Sequence, residues 1–324
     1  MRLEEIGFYT LSEARVRGAS ATSALARCEL LLTSRCNFRC PYCRGTGGAD
    51  LPWAAAARVV DRWAADGLRA VRFSGGEPLL WGDLARLVAR ARARGIAHIA
   101  ISSNGSMPWA QYEQLLGAGA NDFSISLDAC CAADGQRMAG GVGAWAQVVA
   151  NLRALAPRAY VTAGVVLTEA NRARARDIVR FASELGVADV RVIPAAQCGA
   201  ALAQLEVDGA LLARHPILAY RVRNAAAGRP VRGLRPTDSG RCALALDDMV
   251  VCGGHHYPCV IHLREGGRPI GRAGAGAREE RARWVRAHDG HADPICAGNC
   301  LDVCVDYNNR FRAVRGPGDD GARP

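Results

Sequence analysis

The chain has 324 residues and a mass of 34.4 kDa; 50% of it is hydrophobic, 22% is charged, and the formal net charge is +10. That suffices for one large or two modest globular domains. No apolar run approaches the ~20 residues of a membrane helix, and the acidic start MRLEEIGFYTLSEARVRGAS lacks a signal peptide's apolar stretch, so a cytoplasmic protein without a membrane partner is expected. All 41 basic residues are arginine, which excludes a Walker A loop and a lysine Schiff base. The positive charge favours anionic partners in general.

Residues 1–27 read as an extension. From about residue 28 to 195, short apolar runs alternate with longer amphipathic ones. The apolar runs are 28–34, 70–75, 98–103, 122–128, 160–167 and 190–195, rich in Val, Ile, Leu or Phe as buried parallel strands are. Helix-like segments lie between them, at 53–67, 83–95, 144–156 and 173–186, several ending in glycine. Repeated strand–helix units predict an α/β fold with right-handed crossovers. Chemistry on such sheets sits at the strand C-termini. There the sequence places CNFRCPYC after the first run, GGEP after the second, SNGS after the third and DACC after the fourth. Helical periodicity fades after residue 226. Residues 228–240 read as a linker, 241–310 as a small metal-stabilised module and 313–324 as a disordered tail.

Thirteen cysteines are unusual. In a chain that is neither short nor signal-bearing, clustered cysteines read as metal or catalytic sites rather than disulfides. The strongest signal is Cys36-Asn37-Phe38-Arg39-Cys40-Pro41-Tyr42-Cys43. Thiolates are the standard protein ligands of iron–sulfur clusters. Three of them on a [4Fe–4S] cube leave one iron open to oxygen and nitrogen donors of another molecule. Structural zinc competes for this reading but prefers four ligands, and the sequence offers no suitable fourth nearby.

The triplet after a first strand, with Tyr42 before its last cysteine, resembles the radical S-adenosylmethionine (SAM) superfamily. Gly75-Gly76-Glu77-Pro78 resembles the segment that holds the amino group of SAM, with Glu77 and backbone oxygens suited to an ammonium. Ser103 and Asn104 resemble the family's T-N-G sequence, with Ser103 replacing the threonine. Ser126 and Asp128 resemble the residues that hold the ribose hydroxyls, and Ile193-Pro194 the segment packed on adenine. The resemblance spans about residues 28–195. It implies a partial (β/α)6 TIM-like barrel in 28–226, a [4Fe–4S] cluster on Cys36, Cys40 and Cys43, and SAM chelating the open iron. Reductive cleavage of SAM would then yield a radical that takes a hydrogen atom from a substrate C–H. An external one-electron reductant such as flavodoxin or ferredoxin is implied.

The spacing of Cys242, Gly254 and Cys259 resembles the opening of SPASM and twitch modules, which hold auxiliary [4Fe–4S] clusters. The later run Cys296, Cys300, Cys304 departs from SPASM. One auxiliary cluster in residues 227–312 is therefore expected, on Cys242, Cys259, Cys300 and Cys304, with Cys252 or Cys296 able to substitute. A zinc knuckle helped by His255, His256 or His291 is the alternative. His255 and His256 are otherwise expected to be loop histidines. Cys130 and Cys131 follow Asp128 on the active rim and are candidate catalytic thiols. Cys252, Cys296 and Tyr257 are candidate hydrogen-atom donors by elimination, whereas Cys28 and Cys198 read as strand packing.

The substrate radical is open to oxidation, epimerisation or rearrangement. Residues 1–27 leave no room for a separate peptide-recognition domain, which favours a small natural-product, sugar or nucleoside-type substrate. A ribosomal peptide, epimerised or cross-linked, is the alternative. A zinc-stabilised nucleic-acid binder is the reading from another class, though no nucleic-acid motif accompanies the arginines.

Overall fold

The computed structural model describes residues 12–196 and 205–316; Cys198 and residues 317–324 of the expected tail lie outside them. Nine strands form one sheet: β1 (Arg27–Thr33), β2 (Ala70–Gly75), β3 (His98–Ser103), β4 (Asp122–Ser126), β5 (Tyr160–Leu167), β6 (Asp189–Pro194), β7 (Asp248–Cys252), β8 (His255–Tyr257) and β9 (Gly271–Arg272). Their order is β6-β5-β4-β3-β2-β1-β7-β8-β9. Pairing is parallel from β6 through β1 to β7, then antiparallel for β8 and β9. Helices cross over between successive strands, as parallel pairing requires. This is the α/β fold with the partial-barrel sheet that the sequence implied.

The strands are buried on both faces, but the two faces differ. Cys28, Leu30 and Leu32 of β1, Val71 and Phe73 of β2, Ile99 and Ile101 of β3, and Phe123 and Ile125 of β4 are fully or nearly fully buried in the main apolar core. The helices Trp53–Ala65, Leu84–Ala93, Trp145–Leu155 and Ala175–Glu184 bury one stripe each in that same core. Every second residue faces the other way. Arg27 and Glu29, Arg72 and Ser74, Asp122, Ser124 and Ser126, and Arg191 line interior cavities. The period of two thus splits each strand into an apolar helix-facing side and a polar interior side.

The region after residue 226 does not stand apart from the barrel. β7 pairs in parallel with β1, Arg27 opposite Asp248, and those two side chains form an ion pair. Residues 228–240 are irregular apart from one bridge, Arg232 to Leu301. Buried Arg221, on the helix Pro216–Ala226, pairs with buried Asp302 at the start of the helix Asp302–Arg315. That last helix reaches Arg315, so residues 313–315 are helical rather than part of a tail. Its Phe311 and Tyr307 are buried against Val16 and Ala19, and Arg315 Nη2 donates to the Ala19 carbonyl at 3.0 Å. The N-terminal extension thereby packs on the C-terminal region. His255 and His256 belong to β8 and not to a loop. His256 is fully buried, 2.9 Å from Glu280, with its pKa lowered to about 4 by burial.

Candidate active site and cysteine clusters

A cavity of about 400 Å³ opens at the C-terminal ends of β1–β6. Cys36, Cys40 and Cys43 line it together with Tyr42, Gly75, Gly76, Ser103, Asn104, Ser126, Asp128 and Ile193. Residues from five separated stretches of sequence thus meet at one rim, where a parallel sheet concentrates its loops.

The cysteine loop is held from several sides. Cys43 N–H donates to the Cys40 carbonyl at 3.0 Å and Arg39 N–H to the Ala139 carbonyl at 3.1 Å. Asn104 Nδ2 donates to Asn37 Oδ1 at 2.8 Å and lies 3.8 Å from Cys36 Sγ. The Tyr42 hydroxyl donates to Asp128 Oδ2, while Asp128 Oδ1 accepts from Val166 N–H at 2.6 Å. Burial lifts the Asp128 carboxyl to about 6. Gly140 lies under the loop with φ +71°, and a Cβ there would sit 2.2 Å from the Arg39 carbonyl oxygen. Sequence reading missed Gly140, because its closeness to residue 39 is created by folding.

The Gly75–Gly76 turn is similarly close-packed. Gly76 N–H donates to the Thr33 carbonyl at 2.7 Å and Glu77 N–H to the Arg35 carbonyl at 2.8 Å. A Cβ on Gly76 would lie 2.2 Å from the Arg35 carbonyl oxygen, so only glycine lets the ends of β1 and β2 approach this closely. Glu77 and Pro78, in contrast, do not line the cavity. The Glu77 carboxylate is fully buried and accepts bonds from Leu79 N–H at 3.1 Å, Asn104 N–H at 2.7 Å and the Ser103 hydroxyl at 3.0 Å. Burial raises it to about 7 despite those bonds. Its oxygens brace the loops after β2 and β3, so an ammonium in the cavity would meet backbone carbonyls instead.

All three cysteines of the triplet are free thiols. Burial pushes Cys40 up to about 11 and raises Cys36. Protonated thiols beside a cavity are what such a site holds without metal; coordination deprotonates them. Among the described residues, the three sulfurs do not all lie within 4.8 Å of one another. A lone tetrahedral zinc, with Zn–S near ~2.3 Å, would gather them more tightly.

In the C-terminal region the thiols of Cys242, Cys259, Cys300 and Cys304 lie near enough to act on one another. Burial raises Cys259 strongly and Cys242 to about 11, and neighbouring thiols push both further. The side chains of Cys300 and Cys304 share a hydrogen bond that raises the first and lowers the second. No three of these four sulfurs lie within 4.8 Å of one another either. Cys296 turns toward His288, with Sγ 3.5 Å from Nε2; with Asp293 these make the one trio of ligand atoms within 4.8 Å among the described residues. Cys252 is separate from the group. Its thiol meets the Thr46 side chain and faces Arg264, near the cysteine loop.

The proposed thiol catalysts are not on the cavity wall. Cys131 precedes the helix Ala132–Met138 and lies 3.4 Å from Arg174 Nη1, and Cys130 packs partly against the apolar core. Neither they nor Cys252 and Tyr257 line the cavity. What sequence reading overlooked is Glu29, Arg72 and Arg191, which do. The available signal was a polar residue at every second position of strands read as uniformly apolar.

Residues 30–182 match the family model described as the Radical SAM superfamily. That stretch, a little under half of the chain, is similar to radical SAM domains. No curated protein sequence matches the chain. Among solved structures, it resembles Streptococcus suis SuiB bound to precursor peptide SuiA, with TM-score 0.59 and 14% identity over 85% of this chain and 66% of that one. It also resembles anSMEcpe with bound AdoMet, with TM-score 0.56 and 14% identity over 90% of this chain and 97% of that one. A further SuiB structure is covered over only 63% of its length, so the chain spans about two thirds of SuiB. At these identities the likeness is one of fold. The match favours the radical SAM reading over the zinc-stabilised nucleic-acid binder. No described helix is long and apolar enough to cross a membrane.

Proposed function

We propose that Cys36, Cys40 and Cys43 hold the [4Fe–4S] cluster and that SAM occupies the 400 Å³ cavity beside them. The observation that carries this reading is the meeting of three free thiols with the ends of β2, β3, β4 and β6 around one cavity. Backbone carbonyls of the Gly75–Gly76 turn would receive the amino group, Ser126 and Asp128 the ribose hydroxyls, and Ile193 the adenine. When bound, the reduced cluster and SAM supply a radical able to take hydrogen from an unactivated C–H. The chain's part is to orient that reagent and to keep water from it. Arg264, Ile261 and Leu301 of the C-terminal region contribute to the same cavity wall. A flavodoxin- or ferredoxin-type reductant would supply the electron in the cytoplasm.

A single auxiliary [4Fe–4S] cluster, twitch-like in its ligand count, is assigned to Cys242, Cys259, Cys300 and Cys304. Cys252 is left out because it faces Thr46, and Cys296 because it faces His288. The modest size of the cavity favours a small natural-product, sugar or nucleoside-type substrate for oxidation, epimerisation or rearrangement. Modification of a ribosomal peptide is the second reading, favoured by the peptide-bound forms of SuiB and anSMEcpe.

Anaerobic reconstitution tests the proposal. Wild type is expected to carry about eight irons and to release 5′-deoxyadenosine with dithionite and SAM. Iron binding without SAM cleavage, or a colourless zinc protein, would overturn it. Product mass separates the reaction types: a loss of two mass units marks oxidation or cross-linking, and one deuterium gained from solvent marks epimerisation.

A further inference from the structure

A second cavity, of about 470 Å³, lies below the first, toward the N-terminal ends of the strands. The helix Pro216–Ala226 helps to enclose it, and Cys259 and Cys304, two of the thiols assigned above to the auxiliary cluster, line another part of its wall. The two cavities share Glu29, Arg72, Arg191, Ile193, Ile261 and Leu301. A molecule in the lower cavity therefore touches the wall of the upper one, where the reactive cofactor belongs.

The charges around the lower cavity are unevenly matched. Arg27 is paired with Asp248, and Arg221 with Asp302. Arg191 has no such partner. Its Nη2 donates to the neutral Ser124 hydroxyl at 3.0 Å, its Nε is buried without a hydrogen-bond partner, and among the described residues it forms no ion pair. Burial, Arg72 and Arg221 lower its pKa to about 10 against the opposing pull of Glu29 and Asp122, so it is charged at neutral pH. Gly164 stands directly across from Arg191 in the β5–β6 register, and a Cβ on Gly164 would lie 3.5 Å from Arg191 Nη2. Glu29 and Asp122 act on Arg191 through space without an ion pair to it, so its guanidinium keeps hydrogen-bonding capacity that a ligand anion would fill.

We propose that Arg191 receives a carboxylate of the substrate, whose body fills the lower cavity and presents its C–H at the shared wall. This rests on the radical SAM reading of the upper cavity. The guanidinium fork matches a carboxylate in two parallel hydrogen bonds. A single negative charge suits the site better than a phosphate dianion, because Glu29 and Asp122 line the same space. The substrate class is a small monocarboxylic acid.

The test uses reconstituted, SAM-loaded holoenzyme and three probes: 4-bromobenzoate, 4-bromobenzamide and inorganic phosphate. Calorimetric titration is expected to show the carboxylate binding at least ~10-fold more tightly than the amide, with phosphate failing to displace it. Bromine anomalous diffraction is expected to place the ring in the lower cavity and the carboxylate on Arg191. Arg191→Gln should abolish the preference, with iron content matching wild type to show that the variant folds, and Arg191→Lys should keep part of it. Equal binding of the amide, displacement by phosphate, bromine at another site, or an unchanged preference in Arg191→Gln would overturn the inference. The bromine position in wild type decides even if the variant does not fold. A wild-type enzyme that cleaves SAM but ignores the carboxylate defeats this inference alone; one that binds no iron defeats the reading beneath it.

Discussion

The Tyr42 hydroxyl donates a hydrogen bond to the Asp128 carboxylate, which ties the cysteine loop to the end of β4 across 86 residues of sequence. Asp128 also accepts from Val166 N–H on β5 at 2.6 Å. One carboxylate thereby fixes the loop to two strands at the level where the cofactor belongs. Tyr42→Phe removes the hydroxyl and leaves that buried carboxylate with one partner fewer. We expect a loss of about 1–3 kcal/mol, read as a lower thermal midpoint and as faster bleaching of the cluster by chelator. Unaltered bleaching would show that the tie does not hold the loop.

Replacing Cys36, Cys40 and Cys43 together by alanine should lower the iron content from about eight to about four per chain and abolish 5′-deoxyadenosine release. Replacing Cys242, Cys259, Cys300 and Cys304 together should also remove about four irons, from the other site. Iron and sulfide analysis on oxygen-protected protein checks both. Loss of all iron in either variant would mean that the two groups do not load independently.

Gly140→Ala should displace the cysteine loop. The substitution forces a side chain into φ +71° and toward the Arg39 carbonyl. Left-handed backbone at a non-glycine residue costs roughly 1–3 kcal/mol, and the clash adds to this. Slower cluster reconstitution with an unaltered far-ultraviolet spectrum is the expected outcome. Reconstitution at the wild-type rate would refute it.

Glu77 makes stability depend on pH. Its carboxyl titrates at about 7 when folded against an ordinary value of 4.5. Between those values the folded protein binds more protons than the unfolded chain, so stability falls as pH rises. The contribution is fully present below about pH 4.5 and is lost by about pH 7, on the order of 3 kcal/mol. Asp128 and Asp189, each raised to about 6 by burial, act in the same direction. Glu77→Gln should flatten this part of the dependence. Thermal midpoints of both proteins between pH 5 and pH 7.5 check it, and parallel curves would refute it.

Asp302→Ala should be the most damaging of these changes. Its carboxylate pairs with buried Arg221 and accepts from Asn224 Nδ2 at 2.8 Å. Removing one partner of a buried pair costs about 3–5 kcal/mol. Limited proteolysis should then release the C-terminal region first; a variant as resistant as wild type would show that other contacts hold it.

Much of this protein was decided by local sequence. The runs at 70–75, 98–103 and 160–167 coincide with β2, β3 and β5, because strand apolarity and helix periodicity are properties of neighbouring residues. The Cys36, Cys40, Cys43 triplet was legible as a group for the same reason: three thiols on one loop need no long-range information to be seen together. Tertiary structure alone decided which way side chains point and what they meet. Glu77 lies in the expected segment, yet its carboxylate turns inward to the Ser103–Asn104 loop. Cys252 lies in sequence among cluster cysteines but faces Thr46. β7 joins β1 and so continues the barrel sheet. Arg191 reaches the wall between two cavities because β6 pairs with β5 in a register that sets it opposite Gly164. Register, burial and the convergence of distant loops arise from contacts between residues far apart in the chain, and spacing along one segment carries no record of them.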